Sequence, residues 1–357
     1  MAPIVRHCQQ SPDVSPIVCL TGQHKEMLAQ VTEYFEIEAD IDLKLMQPNQ
    51  TLASLTARCL EKLDAVLQAT EPHCVVAQGD TTTVLSAALC AFYRRLPFVH
   101  VEAGLRTGDL YAPWPEEMNR RVASITTSLH CVPTQKSAEN LYRENYPQTQ
   151  VHITGNTVID SLLYTVERER QNGEVWSQKY DFLGTNPMVL ITGHRRENFG
   201  SGFLEICQAI SELSQRFPET SFVYPVHLNP NVQKPVHDLL ANLKNVYLVS
   251  PAPYPEFVWL MDRSTLILTD SGGVQEEAPS LKKPVIVMRE TTERPEAVEA
   301  GAVELVGTSR EKIVSSISLL LSNSIEYSKR QVDKNPYGDG KSAKRIVDLM
   351  LAQKWHH

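Results

Sequence analysis

Short apolar runs and longer amphipathic stretches alternate along most of this 357-residue chain. Ile17–Thr21, Cys74–Gln78, Phe98–Glu102 and Leu129–Val132 have the near-continuous apolar character of strands buried on both faces of a parallel sheet. Between them, Thr51–Ala69 and Thr82–Arg95 carry helical patterns. After Val151–Thr154 and Gly155-Asn156-Thr157 comes a polar helical segment, Val158–Lys179. The strand rhythm then restarts at Met188–Thr192, Phe222–Val226, Val246–Val249, Leu266–Thr269, Pro284–Met288 and Val303–Val306. A last helix, Ser342–Lys354, follows the turn-rich Asn335-Pro336-Tyr337-Gly338-Asp339-Gly340. This alternation predicts α/β architecture with doubly wound parallel sheets.

The length suits two domains better than one core. The change of rhythm falls between about 155 and 186, where Asp181–Pro187 has linker punctuation. The predicted organisation is an N-terminal Rossmann-like domain over 1–170 and a C-terminal one over 171–335. The helix within 336–357 is expected to return to the first domain. A doubly wound domain normally opens with a strand and a glycine-containing turn. This chain instead opens inside a helix-like stretch, Ala2–Gln9, so that first strand is expected to be missing.

Composition narrows the functional classes. Apolar residues make up 42% and charged residues 21%, with a formal net charge of −8. That balance argues against nucleic acid or an anionic membrane as partner. The seven cysteines are scattered, without a C-x-x-C pair. Neither a disulfide framework nor a zinc site is expected, and buried thiols in a reducing compartment are. Met1–Arg6 lacks the features of a signal peptide, and no stretch reaches the ~18 apolar residues of a membrane span. The expected location is cytoplasmic.

Open parallel sheets bind ligands beyond the carboxyl ends of their strands, so the polar residues just after each apolar run carry the chemistry. Cys74–Gln78 delivers Gly79-Asp80-Thr81, and Phe98–Val101 delivers Glu102-Ala103-Gly104. Tyr111–Pro115 leads into a helix beginning Glu116-Glu117. Carboxylates crowded on one rim can donate and accept protons. Singly, each has a plainer reading: Asp80 caps the following helix, and Glu116 and Glu117 favour the positive end of theirs. In the second half, Val189–Thr192 ends in Gly193-His194-Arg195-Arg196-Glu197-Asn198, a charged cluster that needs a ligand or an internal partner such as Glu197. The sharpest signal is Leu266–Thr269 running through Asp270 into Ser271-Gly272-Gly273, with a helix expected from Val274. Backbone N–H groups at such a start suit phosphate oxygens, and Glu277 could accept from a ribose diol. A plain strand-to-helix turn is the alternative. Neither G-x-G-x-x-G nor G-x-x-x-x-G-K-[ST] occurs, which weakens dinucleotide and P-loop readings.

Eight segments, in order, resemble the non-hydrolysing UDP-N-acetylglucosamine 2-epimerases. They are Gln78–Thr83, His100–Thr107, Pro113–Glu117, Thr192–Asn198, Tyr224–Pro230, Thr269–Pro279, Thr291–Glu296 and Asn335–Gly340. One such match could be chance; eight in order could not. The resemblance implies a GT-B-like fold with a ligand cleft between two Rossmann-like domains, usually as a homodimer, and no metal or NAD cofactor. The implied reaction interconverts UDP-GlcNAc and UDP-ManNAc through 2-acetamidoglucal, supplying surface polysaccharide precursors. By position, Asp80, Glu102 and Glu116 match the family's active-site carboxylates, and His194 matches the histidine at the diphosphate. Ser271, Gly272, Gly273 and Glu277 match diphosphate and ribose contacts, Phe257 the uracil platform, and Arg294 a nucleotide-sugar contact. Gln23, Arg195 and His227 match contacts for a second UDP-GlcNAc, an activator in some members.

Two departures accompany the match. The family opens with a strand, a Gly-Thr-Arg-Pro-Glu turn and a lysine, all before the Met at which this chain begins. In this form the polypeptide is expected to be poorly stable or weakly active. Ala252 stands where a relative has Gln. The rival readings are a GT-B glycosyltransferase using a UDP-sugar, a hydrolysing epimerase, and a catalytically inactive UDP-sugar sensor.

Overall fold

The computed structural model describes residues 1–22, 25–47, 49–353 and 355, and only the backbone of 25–28 and 196. The chain divides into two compact units, Met1–Ser161 with Gly340–His357, and Leu162–Asp339.

The first unit runs α1 (Ala2–Gln10), β1 (Cys19–Leu20), α2 (Lys25–Tyr34), β2 (Ile41–Asp42), α3 (Leu52–Thr70), β3 (Val75–Gln78), α4 (Thr82–Tyr93), β4 (Phe98–Val101), α5 (Glu116–Thr126), β5 (Leu129–Val132), α6 (Gln135–Arg143) and β6 (Val151–Ile153). Helix α7 (Thr157–Gln171) carries the chain into the second unit. Strands β3-β4-β5-β6 form one parallel sheet, and β1 pairs with β2 in a separate parallel pair. Alternation across the larger sheet divides its side chains between two apolar layers. Phe98 joins Leu55, Cys59, Val84 and Ala88 of α3 and α4. Val99, Val101, Leu129 and Cys131 join Ile4, Cys8, Ile346 and Val347. The last two belong to α16 (Ser342–Ala352), which packs on α1. Asp160 caps α16 by accepting the N–H groups of Ser342 and Ala343 at 3.2 and 2.8 Å, satisfying donors the helix itself cannot.

The second unit continues with α8 (Gly173–Lys179), β7 (Met188–Thr192), α9 (Ser201–Arg216), β8 (Ser221–Pro225), α10 (Pro230–Leu240), β9 (Val246–Val249), α11 (Tyr254–Arg263) and β10 (Leu266–Thr269). It ends with α12 (Gly272–Glu277), β11 (Val285–Val287), α13 (Pro295–Glu299), β12 (Val303–Leu305), α14 (Arg310–Ser322) and α15 (Ser324–Lys329). All six strands are parallel, in the order β12-β11-β10-β7-β8-β9. Val189, Ile191, Phe222, Leu266 and Leu268 face the core shared with α9, α10 and α14. Leu190, Ile267 and Val285, on the opposite face, are equally buried. Burial of both faces is what their unbroken apolar runs encode.

Two expectations need correcting. The run Ile17–Thr21 pairs only at Cys19–Leu20, and Ile17 is 46% exposed. The segment Val158–Lys179 is two helices, with Asn172 between α7 and α8. No described helix is long and apolar enough to cross a membrane.

Candidate active site

In the first unit, Gln78 and Val101 are register partners on β3 and β4, so the residues that follow them emerge side by side. Asp80 does not cap α4: Thr81 occupies the N-cap position. Its carboxylate instead accepts from Arg120 Nη2 at 2.5 Å, and its backbone carbonyl accepts from Asn119 Nδ2 at 2.8 Å. Glu102 has φ +62°, a left-handed conformation uncommon outside glycine and asparagine, and Gln78 Nε2 donates to its Oε2 at 3.1 Å. Such backbone strain costs on the order of 1–3 kcal/mol and must be held by its surroundings. Two residues on, a Cβ at Gly104 would lie 2.3 Å from the Ser137 carbonyl oxygen, so only glycine lets this turn close over α6.

Both carboxylates remain partly exposed. Glu116 opens α5, half-buried, one turn before Arg120 and hence on the same helical face. Its neighbour Glu117 is the wholly buried one and pairs with Arg120 Nη1 at 3.1 Å. Beneath this rim, His100 and His130 are register partners on β4 and β5. His100 Nε2 donates to the Gly79 carbonyl at 2.7 Å. Burial lowers its pKa to about 4 and that of His130 to about 3, so both rings are neutral at pH 7.

In the second unit the strand order reverses between β7 and β10. Such a switch point is where doubly wound sheets open a crevice at the carboxyl ends of their strands. His194 follows β7 there, and Asp270 and Ser271 follow β10. Asp270, fully buried, accepts the N–H groups of His194 and Arg195, each at 2.8 Å, and Asn198 Nδ2 at 3.3 Å. The His194 ring is exposed and stacks on His227, with centroids 5.2 Å apart. The Asn229 N–H donates to His227 Nδ1 at 3.1 Å, which puts the His227 proton on Nε2 in the neutral ring. Arg195 is engaged internally, through Nε to the Asp270 carbonyl at 2.9 Å and with Glu293 at 3.8 Å. Glu197 pairs with Arg289 rather than with Arg195.

Helix α12 begins at Gly272, two residues earlier than expected, and its first N–H groups have no acceptor within the helix. The approach at Gly272 is close: a Cβ there would sit 2.7 Å from Arg294 Nη1, the far end of a flexible side chain. The Arg294 guanidinium thus lies over the helix start, held by Glu276 and Glu293. Glu277 is buried and its pKa is raised to about 7, by desolvation first and by neighbouring Glu276 second. Tyr254 donates to it at 2.9 Å. Phe257, one turn after Tyr254 on α11 and half-buried, shares that helical face. Each unit thus gathers one set: carboxylates able to exchange protons in the first, and helix-start N–H groups, a guanidinium and a buried acceptor in the second. Gln23 lies outside the described residues.

A family model described as UDP-N-acetylglucosamine 2-epimerase matches residues 6–351. The chain belongs to this epimerase family. A relative from Yersinia pestis named UDP-N-acetylglucosamine 2-epimerase is 50% identical over 98% of this chain and 94% of its own. The crystal structure of the Neisseria meningitidis UDP-GlcNAc 2-epimerase bound to UDP-GlcNAc superposes with a TM-score of 0.90 at 47% identity, covering 99% of this chain and 96% of that one. The Methanocaldococcus jannaschii epimerase, in complex with UDP-GlcNAc and UDP, gives 0.80 at 32% identity over 99% and 96% of the two chains. This epimerase-family chain has the GT-B-like fold class of those neighbours.

Sequence reasoning missed three residues that hold this site: Glu117, Arg120 and Asp270. Glu117 reads in sequence as favouring the positive end of its helix, and nothing there singles out Arg120 or Asp270. Nothing local signals partners 40 and 76 residues away.

Proposed function

We propose that the protein interconverts UDP-GlcNAc and UDP-ManNAc by elimination and re-addition of UDP. The observation that carries this reading is the pair of partly exposed carboxylates, Asp80 and Glu102, delivered side by side by β3 and β4 and oriented by internal donors. A base removes the C2 proton while the C1–O bond breaks, giving 2-acetamidoglucal and UDP. A proton returns to the opposite face of C2 as UDP oxygen re-forms the bond to C1. Two faces require two groups, and Asp80 and Glu102 take these roles, with Glu116 a third carboxylate on the same rim. Charge builds on the departing diphosphate, which His194 stabilises together with the Ser271-Gly272-Gly273 turn and Arg294. Glu277 holds the ribose and Phe257 the uracil. Arg195 and His227 contact a second UDP-GlcNAc as activator.

The active form is a cytoplasmic homodimer that supplies surface polysaccharide precursors. Incubating UDP-GlcNAc with the protein in heavy water and following it by NMR tests the reaction. UDP-ManNAc carrying deuterium at C2 is the expected product. Free ManNAc with UDP would mean hydrolysis, turnover only with an added acceptor would mean glycosyl transfer, and binding without exchange would mean a sensor.

A further inference from the structure

Glu117 is wholly buried and Arg120 nearly so, yet neither faces solvent in the way a residue touching substrate must. Their contacts converge on both strand ends that carry the proton chemistry. Arg120 divides its fork: Nη2 donates to Asp80 Oδ2 at 2.5 Å and Nη1 to Glu117 Oε2 at 3.1 Å. Glu117 also accepts the backbone N–H of Thr107 through Oε2 at 3.2 Å and that of Gly108 through Oε1 at 3.4 Å. Those two amides belong to the loop that leaves β4 immediately beyond Glu102. One buried carboxylate is therefore tied to the Glu102 loop directly and to Asp80 through a guanidinium. Asn119, on the same turn of α5, fixes the Asp80 backbone by donating to its carbonyl.

Side-chain geometry explains why this pair is an arginine and a glutamate. A planar guanidinium presents donors in a rigid fork and can bridge two carboxylates in fixed directions. A lysine ammonium is a point charge on a flexible stem and cannot hold both. Asp80, with its Oδ2 committed to Arg120 and 26% of its side chain exposed, keeps a lone-pair direction turned outward. A carboxylate free to rotate would lose that direction. Because both anchored elements end at one carboxylate, displacing Glu117 shifts Asp80 and the Glu102 loop together.

We propose that Glu117 and Arg120 are positioning residues for the epimerisation, aligning Asp80 and the Glu102 loop from inside the protein. The inference rests on the proposed roles of Asp80 and Glu102. It is tested with Glu117→Gln, which is nearly isosteric but uncharged, and with Arg120→Lys, which keeps the charge and loses the fork. Both variants are expected to lose about 10²-fold in kcat, with KM and the calorimetric affinity for UDP within about 3-fold of wild type. A purely structural ion pair would lower thermal stability while leaving kcat per folded molecule intact, and Arg120→Lys would then retain activity; either result overturns the inference. Crystal structures of both variants supply a readout independent of turnover, with a rotated Asp80 carboxylate and a displaced 102–108 loop expected. If the wild-type chain fails to epimerise, the functional proposal falls, and the structures alone decide the positioning claim. An unmoved Asp80 and loop would then refute it.

Discussion

Asp80 and Asp270 stand at equivalent places, each just beyond the carboxyl end of a parallel strand, yet the two units use them in opposite ways. Asp80 is 26% exposed and has one oxygen committed to an arginine. Asp270 has no exposure, and its Oδ2 gathers two backbone N–H groups and an asparagine amide. The first retains capacity for a substrate. The second shapes the His194–Arg195 loop through Oδ2 and is closed to solvent. A carboxylate after a strand is thus not a functional signal by itself. What separates the two is exposure: Asp80 stays open to a substrate, whereas Asp270 is sealed, its Oδ2 taken by three donors and its Oδ1 buried without a hydrogen-bond partner among the described residues.

Substitution to asparagine sharpens that difference most. Asn at 80 keeps the shape but cannot take a proton, so Asp80→Asn should cost about 10³-fold in kcat while shifting the unfolding midpoint by only a few degrees. Asp270→Asn should be mild in kcat, since an amide oxygen still accepts backbone N–H groups. Asp270→Ala leaves those groups buried and unpaired, and should destabilise the second unit by about 3–5 kcal/mol, read from denaturant unfolding.

Acid separates the units next. His100 and His130 are neutral in the folded state, with pKa values lowered to about 4 and about 3, and take up protons near pH 6.5 when unfolded. Below pH 6.5 the unfolded chain binds more protons, so stability falls by about 1.4 kcal/mol per pH unit for each histidine until the folded pKa is reached. Glu277 works in the other direction: its raised pKa of about 7 makes the folded second unit the better proton binder between about pH 4.5 and 7. Hydrogen exchange from pH 7 to 5 should therefore show amides of β4 and β5 losing protection while those of α12 do not. The same carboxylate should make UDP affinity rise with pH up to about 7, by at most about tenfold per unit, and Glu277→Gln should flatten the profile. The smallest effect is expected at Gly272. An added methyl meets only the tip of Arg294, which can move aside, so Gly272→Ala should weaken UDP binding by about tenfold and leave folding intact.

The strands were legible because burial on both faces writes an unbroken apolar run, as Leu266–Thr269 and Leu129–Val132 show. Strand β2 escaped because it is two residues, Ile41 and Asp42, too short to display any period. The motif residues could be placed after their strands, but their partners could not. Asp80 reads as a helix cap in sequence, and only the fold brings Arg120 to it and gives the cap position to Thr81. Glu116 and Glu117 look interchangeable along the chain, yet a rotation of about 100° around α5 leaves one half-exposed and the other sealed.

Helix α16 belongs to the first unit although nearly two hundred residues of chain separate it from that unit's sheet. The second unit is one continuous stretch of chain, whereas the first is drawn from both sides of it. Cutting the chain after Asp339 would strip Ile346 and Val347 from Val99, Val101, Leu129 and Cys131 and leave that face to Ile4 and Cys8 of α1. The second unit can therefore fold as one continuous segment, whereas the first is complete only when chain from both sides of it has met.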